Sequence, residues 1–362
     1  MIATPDSLIV RPARAIDLTE RPAHRTDRPI GRAAKAVDPL SAVFRAVRLR
    51  GAVFFVVDAS PPWVAQAPAA CVLAPAVMPG AQHLIEYHLV RRGRCFGGLL
   101  GEPTIELGAG DVIVFPQGDP HVLSSSPRPR IGDPDAQDVE RMLERAPPPF
   151  PVHAGGNGTV AHEVVCGFLG CDVRPFNPLI ATLPRMLHVP ADAANTHLNA
   201  LIALTLAEST ERRAGGECML ARLSELMFIE VVRLHLQTLS PGNDGWLAGL
   251  RDPIVGRALA LLHGEPACDW SLDSLAQAAS ASRSVLAERF KQCIGQPPMQ
   301  YLAQWRMQLA ASMLAEGNAS VAAVAFDVGY GSEAAFSRAF KKLVGVSPSS
   351  WREGAAANAT GR

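Results

Sequence analysis

Residues 325–352 read AFDVGYGSEAAFSRAFKKLVGVSPSSWR, and this segment determines how the C-terminal part of the chain folds. An apolar run ends at the Gly-Tyr-Gly of residues 329–331, which is a turn signal. Phe336 and Phe340 then recur at the spacing of one helical turn, and Gly345 follows, as glycine does where helices end. The pattern predicts a helix, a tight turn and a second helix.

An earlier copy of the same pattern lies upstream. Ser271 and Ser320 begin the two copies, and a Ser hydroxyl can cap a helix by accepting a hydrogen bond from a free backbone N–H. Phe290 and Phe340 occupy equivalent positions, but they lie one residue further apart than the two Ser residues, so the second turn should hold one extra residue. Each copy predicts a helix-turn-helix whose second helix leaves one face free for a DNA major groove.

A further helix is predicted between the two copies. Residues 299–314 carry four large apolar side chains on one helical face, namely Leu302, Trp305, Leu309 and Met313. At a rise of about 1.5 Å per residue this helix spans roughly 24 Å. A rigid connection of that length could hold two recognition helices near the roughly 34 Å separation of successive major grooves.

Residues 251–353 resemble the tandem helix-turn-helix DNA-binding domain of the AraC/XylS transcription regulators, and residues 325–352 match the signature region of that family. The resemblance implies double-stranded DNA as the main partner. It also implies contact with RNA polymerase, because most regulators of this kind activate transcription. A homodimer is the expected assembly.

The resemblance places residues of the two second helices at DNA base edges: Ser284, Ala287 and Glu288 in the first, and Glu333, Ala334, Ser337 and Arg338 in the second. Arg338 could make a bidentate contact with guanine. Glu288 and Glu333 depart from the commoner Arg or Gln, and their carboxylates could accept a hydrogen bond from cytosine N4. The neighbouring basic residues are expected to neutralise phosphates: Arg283, Arg289, Lys291, Lys341 and Lys342.

The N-terminal half contains short apolar runs separated by Gly, Pro and Asp, which predicts strands joined by close turns. Residues 110–121 have the shape G-x5-P-x-G-x2-H and resemble the second cupin motif, and residues 83–93 stand in place of the first. The final Asn of the family is Ser125 here, and the later Glu of the first motif is absent. The resemblance implies a cupin-like β-barrel over residues 38–190.

A metal site is one interpretation of this barrel. Glu86 and His88 lie on one face of a strand because side chains alternate with a period of two. With His121 and Cys166 they would offer carboxylate, imidazole and thiolate ligands, which suit Zn²⁺ or Fe²⁺. Against this interpretation, the four-ligand cupin motif is incomplete.

Thiol sensing and binding of an organic effector are the other interpretations. Cys71 or Cys95 could pair with Cys166, although a buried apolar Cys needs no such role. Cys171 should lie on the opposite strand face from Cys166, because the two positions differ by five and side chains alternate along a strand. A small organic effector would be enclosed by aromatic residues such as Phe54, Phe96 and Phe115.

The remaining segments complete the organisation of the chain. Residues 195–213 and 219–239 predict two helices, and residues 191–245 are interpreted as a helical linker or dimerisation segment. Residues 1–37 predict a disordered tail and residues 354–362 a short C-terminal tail. A short helix is also predicted at 136–145.

Composition limits the class of protein. Lys plus Arg and Asp plus Glu both total 34, so the net charge is zero, which excludes a protein that coats nucleic acid through its overall charge. The 7 Cys residues are scattered without a CxxC motif, which is typical of reduced thiols in the cytoplasm. No apolar run approaches the roughly 20 residues that span a bilayer. We therefore expect a cytoplasmic protein with no membrane segment.

Together these patterns predict a two-domain α+β protein, with an N-terminal cupin-like β-barrel followed by helices and a C-terminal all-α tandem helix-turn-helix domain. The predicted function is a sequence-specific DNA-binding transcription factor, an activator controlled by a small molecule, a metal or an oxidant. The alternative is a cupin metalloenzyme of the dioxygenase or isomerase type with an accessory DNA-binding domain. The incomplete ligand set and the DNA-binding half argue against an enzyme.

Overall fold

The structure, a computed structural model, describes residues 37–129, 150–211, 213–240, 244–317 and 319–360. The predicted tail at 1–37, apart from its last residue, and the predicted helix at 136–145 lie outside the described residues. The described residues belong to a single packed unit that joins both halves of the chain. Among them, no helix is long and apolar enough to cross a membrane.

The N-terminal half is built from ten described strands: β1 (Arg50–Ser60), β2 (Val64–Ala67), β3 (His83–Arg92), β4 (Cys95–Leu99), β5 (Ile105–Leu107), β6 (Val112–Phe115), β7 (His121–Ser124), β8 (Phe150–Gly155), β9 (His162–Cys171) and β10 (Leu187–Val189). Six of them form one sheet in the order β10-β6-β3-β9-β1-β8, in which only β1 and β8 are parallel. The other four form an antiparallel sheet in the order β2-β7-β4-β5.

The prediction of a closed barrel is wrong for the described strands. The two sheets share one core, which contains Phe115 from the six-stranded sheet and Leu123 from the four-stranded sheet, but no described backbone pairing joins the sheets. The edge strands β5 and β10 have 3 residues each, so they are too short to carry pairing around a corner. The result is a sandwich of two open sheets.

The central strands of the six-stranded sheet, β6, β3 and β9, are buried on both faces over most of their length. Residues such as Phe115 and Cys166 face the four-stranded sheet, whereas Ile85, Leu89 and Val165 face a layer of helices. A strand that is covered on both faces is apolar along nearly its whole length. The sheet therefore forms a wall between an inner core and the helical layer.

Twelve described helices accompany the sheets: α1 (Pro39–Ala46), α2 (Ala70–Val77), α3 (Thr196–Thr210), α4 (Gly216–Thr238), α5 (Trp246–Arg251), α6 (Val255–Gly264), α7 (Leu272–Ala278), α8 (Arg283–Ile294), α9 (Pro298–Glu316), α10 (Val321–Asp327), α11 (Glu333–Val344) and α12 (Pro348–Thr360). Helices α3, α4 and α9 lie where their apolar period predicts them. Helices α1 and α2 were not predicted, and α12 continues into the predicted C-terminal tail.

Two helix pairs, α7 with α8 and α10 with α11, precede and follow the long helix α9. Ser271 and Ser320 cap the first helices by accepting hydrogen bonds from backbone N–H groups at 3.0 and 3.1 Å. Gly295 and Gly345 end the second helices with φ of 80° and 93°, a left-handed conformation that glycine adopts at little cost. The turns comprise residues 279–282 and 328–332, so the prediction of one extra residue in the second turn is confirmed.

One apolar core crosses from the N-terminal half into the first helix pair. It begins at Ile85 on the outer face of the six-stranded sheet and continues to Phe290 and to Trp305 of α9. The second helix pair packs a separate core around Phe336 and Phe340. The first pair therefore packs with the N-terminal half, and the second pair is attached through α9.

A buried amide reinforces this attachment. The side chain of Gln308 in α9 is 1% exposed. Its Nε2 donates to the carbonyl of Ala46 at 2.9 Å, and its Oε1 accepts from the backbone N–H of Phe176 at 3.0 Å. Both partners lie in the N-terminal half, so α9 is held there by two hydrogen bonds as well as by apolar contact.

Candidate functional site

Helices α8 and α11 each present one face to solvent. Ser282 and Ser332 begin them by accepting hydrogen bonds from backbone N–H groups at 3.3 and 3.2 Å. Phe290 and Phe340 anchor the opposite side of each helix and are completely buried. Each helix therefore buries one side, and the residues on its other side face solvent.

The exposed faces carry the residues that the sequence predicts at DNA base edges. Ser284, Glu288, Glu333, Ala334 and Arg338 are exposed, and Ala287 and Ser337 are half-buried. Arg338 makes no ion pair with any described residue, so its guanidinium is available to an external acceptor. The first residues of α8 and α11 therefore have the accessibility that contact with a DNA groove requires.

The basic residues that are predicted to contact phosphates differ in whether they already form ion pairs within the protein. Arg289 lies 2.6 Å from Asp252, and Arg283 lies 3.6 Å from Asp273. Lys291, Lys341 and Lys342 are exposed and make no ion pair with a described residue. Arg289 would have to exchange its contact with Asp252 for a phosphate, whereas the three lysines are free to bind directly.

The second candidate site lies between the two sheets. β3 contributes Glu86 and His88 from the six-stranded sheet, and β7 contributes His121 from the other. All three side chains are buried. The Nε2 atoms of His88 and His121 lie 2.7 Å apart, and Glu86 Oε2 lies 3.8 Å from His121 Nε2. The structure thus brings all four residues that the sequence proposes as ligands to one cavity: three form this cluster, and Cys166 lies opposite His88 in the β3–β9 register.

Hydrogen bonding defines the proton positions of the two imidazoles. His121 Nδ1 lies 2.9 Å from the carbonyl oxygen of Asp119, which can only accept, so His121 carries its proton on Nδ1. In neutral His121 the Nε2 atom is then an acceptor, and His88 must donate to it from its own Nε2. The ring of Phe115 stacks on His121 with centroids 3.8 Å apart and holds its plane.

Burial makes all three groups neutral. It raises the pKa of Glu86 to about 8 and lowers the pKa of His121 to about 4. Burial, together with the neighbouring His121, lowers the pKa of His88 well below its ordinary value of 6.5. At pH 7 the cluster therefore consists of a carboxylic acid and two uncharged imidazoles.

The geometry does not fit the predicted Zn²⁺ or Fe²⁺ site. Two nitrogen atoms that bind one tetrahedral zinc at about 2.0–2.1 Å lie well over 3 Å from each other. The two Nε2 atoms are closer than that and are joined by a hydrogen bond instead. Within the described ranges, no group of three or more His, Cys, Asp or Glu side chains could hold a metal ion.

The buried cysteines occupy environments that disfavour thiolates. Cys166 and Cys95 are both buried as free thiols, and burial raises the pKa of Cys95 to about 12 and raises that of Cys166 strongly. Cys71 is exposed on α2. Cys171 packs in the core between the six-stranded sheet and the helices, and Cys166 packs in the core between the two sheets. The predicted placement of the two residues on opposite strand faces is therefore confirmed.

A cavity of about 150 Å³ adjoins the Glu86–His88–His121 cluster. Its apolar walls include residues that no sequence motif indicated, namely Phe55, Trp63, Leu73, Leu123, Val164 and Phe168. Phe96 and Phe115, which were expected to line the cavity, do not, and the side chain of Phe54 lies outside the described part. The period of two along β3 could have placed Glu86 and His88 on the inner face, but the opposing residues depend on strand register.

Comparison with known proteins adds independent findings. A family model described as Cupin matches residues 38–237, and a model described as a helix-turn-helix domain matches residues 275–354. An AraC-like transcription regulator of Streptomyces lividans is 37% identical over 75% of this chain and 88% of its own length. One of Streptomyces antibioticus is 36% identical over 77% and 90%, and an HTH-type transcriptional regulator of Haemophilus influenzae is 31% identical over 74% and 85%.

Proposed function

The chain belongs to the AraC-like transcription regulators, and we propose that it reads duplex DNA through helices α8 and α11 under the control of a molecule bound between its two sheets. The relatives named above are regulators, and none is named as an enzyme. Residues 251–353 would act as a tandem helix-turn-helix domain and residues 38–190 as the sensor domain.

The observation that carries this proposal is the pair of exposed second helices on either side of one rigid connection. α9 has 19 residues, which at about 1.5 Å per residue corresponds to roughly 28 Å. It is buried in the apolar core at Tyr301 and Trp305 and in the core of the second helix pair at Met307 and Leu314. A helix fixed at both ends can hold two recognition helices in a constant relation, as docking in adjoining major grooves requires.

The exposed side chains support a division of roles at the DNA surface. Arg338 has the geometry for a bidentate guanine contact, and Glu288 and Glu333 would select cytosine while weakening overall attraction to phosphate. Lys291, Lys341 and Lys342 would supply sequence-independent attraction. The molecule would thus rely on base recognition more than on charge, in keeping with its zero net charge.

Residues 191–245 would provide the dimer interface. α3 and α4 expose the large apolar side chains of Leu204, Met219 and Leu226. Burial of these side chains in a dimer interface would remove their apolar surface from water. A homodimer would present four recognition helices, and RNA polymerase would be the further partner of a cytoplasmic activator. Size-exclusion chromatography with light scattering measures the assembly directly, and a monomeric mass at micromolar concentration would exclude this interface.

The experiment that tests the DNA-binding proposal is selection of bound sites from genomic fragments by the purified full chain. We expect an enriched motif with two short elements separated by about one helical turn, roughly 10 base pairs. Footprinting of the best site should protect two adjoining major grooves on one face of the duplex. Fragments that are recovered without any shared motif, or protection of a single groove, would overturn the proposal.

A further inference from the structure

The cavity between the sheets contains polar atoms that nothing in the described part of the chain satisfies. Glu86 Oε1 and His88 Nδ1 are buried and have no hydrogen-bond partner there, and the same holds for Nε2 of Gln66. All three residues line the same cavity. A buried polar atom without a partner costs free energy, about 1–3 kcal/mol for each group. Two of these atoms belong to residues on one face of β3, so a single bound group could complete Glu86 Oε1 and His88 Nδ1 together.

The proton positions define what the missing partner must offer. Because His88 donates from Nε2 to His121, its Nδ1 is a bare acceptor. Glu86 lies two residues before His88 on β3 and lines the same cavity, and its carboxyl group offers an O–H donor when protonated. A hydroxyl group satisfies both, since it donates one hydrogen bond and accepts others.

The other residues that line the cavity indicate the charge and size of the bound molecule. The remaining walls are mainly aromatic and aliphatic, including Phe55, Trp63 and Phe168, and no lining residue is Lys or Arg. An anionic head would therefore lose its hydration without gaining an opposite charge. An apolar cavity of about 150 Å³ is large enough for a single benzene-sized ring.

From these features we propose that the cavity binds a small uncharged molecule of phenol type, with one six-membered ring held by the apolar walls and one hydroxyl group held by His88 and Glu86. This inference rests on the proposed function, because it names the chemical class of the effector of that same sensor half. His88 would accept the hydroxyl proton in a hydrogen bond, and Glu86 would donate to the hydroxyl oxygen.

The test is isothermal titration calorimetry of the full chain at pH 7 with three probes of similar shape. Phenol should bind, toluene should bind about 5–10-fold more weakly because it lacks the hydroxyl group, and benzoate should give no measurable binding. Equal affinity for phenol and toluene, tighter binding of benzoate, or no heat from any probe would overturn the inference. This series needs no variant and so does not depend on whether a variant folds.

Two variants on one strand sharpen the assignment. His88→Leu should lower the affinity for phenol about 5–10-fold, to that for toluene, while leaving the affinity for toluene within a factor of two to three. His83→Leu, also on β3 but outside the cavity lining, should change neither affinity. An unchanged phenol affinity in folded His88→Leu would overturn the role of His88.

The titration requires no DNA, so it separates the two proposals. Phenol binding without an enriched DNA motif would contradict the proposed function and leave the cavity assignment intact. An enriched motif without binding of phenol would contradict the cavity assignment alone.

Discussion

The phenolic hydroxyl of Tyr87 lies 2.8 Å from the hydroxyl of Ser224, and this contact ties the six-stranded sheet to helix α4. Ser224 donates its own proton to the carbonyl of Leu220 at 2.8 Å, so Tyr87 is the donor in the bond between them. Tyr87 stands between Glu86 and His88 in β3 but faces the opposite side of the sheet. Tyr87 therefore gives β3 a direct contact with α4 between two residues that line the cavity.

Tyr87→Phe is expected to weaken the coupling between the cavity and DNA binding. The variant removes one buried hydrogen bond and should lower the free energy of unfolding by about 1 kcal/mol. DNA affinity without ligand should stay within about threefold, while any change in that affinity caused by ligand should shrink. A double-mutant cycle with Ser224→Ala, measured by urea unfolding, should give an interaction energy of about 0.5–1.5 kcal/mol. Additive effects would mean that the two hydroxyls do not act together.

Gln308→Leu should loosen α9 from the N-terminal half. The Ala46 carbonyl and the Phe176 N–H would lose their partners in a buried place, at a cost of about 1–3 kcal/mol each. We expect a lower urea midpoint and faster protease cleavage near α9. Gln300→Leu is the matched control, because Gln300 is exposed on the same helix. Equal stability of the two variants would show that the buried amide does not hold the halves together.

Arg338→Ala should change DNA specificity more than general DNA affinity. Loss of a bidentate guanine contact is expected to cost about 1–3 kcal/mol on the cognate site and to relax preference at one base pair. Selection from a randomised library followed by fluorescence anisotropy measures both quantities. The control is Arg94→Ala, since Arg94 is an exposed residue of the sensor half. An unchanged base preference would remove Arg338 from the recognition surface.

Glu86→Gln should make stability less dependent on pH. The pKa of Glu86 rises from 4.5 to about 8 on folding, so its contribution is complete below pH 4.5 and is lost as pH rises toward 8. The variant should be more stable than the parent at pH 8, by up to a few kcal/mol at about 1.4 kcal/mol per pKa unit. The difference should disappear near pH 4.5. Urea unfolding across this range measures it, and a constant difference would contradict the assignment.

Thiol labelling should distinguish the exposed cysteines from the buried ones. Cys71 and Cys218 are exposed and should react first with an aromatic disulfide reagent at pH 8. Cys95 and Cys171 should react only on unfolding, because burial raises the pKa of each to about 12. Mass spectrometry of timed samples identifies each site. Rapid modification of Cys166 in the folded chain would favour the thiol-sensing interpretation.

The C-terminal helices could be predicted because their signals are local. Ser271 and Ser320 indicate where helices begin, and Gly345 indicates where one ends. Phe336 and Phe340 indicate the buried side of α11. Each of these signals lies within one or two turns of the feature that it predicts. Helices α3 and α4 were also recognisable from their apolar period. The unpredicted α1 and α2 have 8 residues each, too few for a periodic signal to stand out.

The cavity could be predicted only in part. Glu86 and His88 were placed on one face by the alternation of a strand, which is a local property. Their neighbours depend on pairing between distant segments: Phe55 lies opposite Cys166, and Phe168 lies opposite Glu86. Strand register depends on packing between segments that are distant in sequence, and so does the question of whether the sheets close into a barrel. Neither can be predicted from local patterns in a single sequence.

The continuous core from Ile85 to Trp305 limits how this protein can be divided. A fragment beginning near residue 251 would retain both recognition helices but leave Leu259, Leu262 and Trp305 without part of their apolar cover. Such a piece would expose apolar surface that the full chain buries, so we expect the full chain to be the better material for DNA-binding measurements. For the same reason, a chimera that grafts these recognition helices onto a foreign sensor would have to carry α1 and its contacts with them.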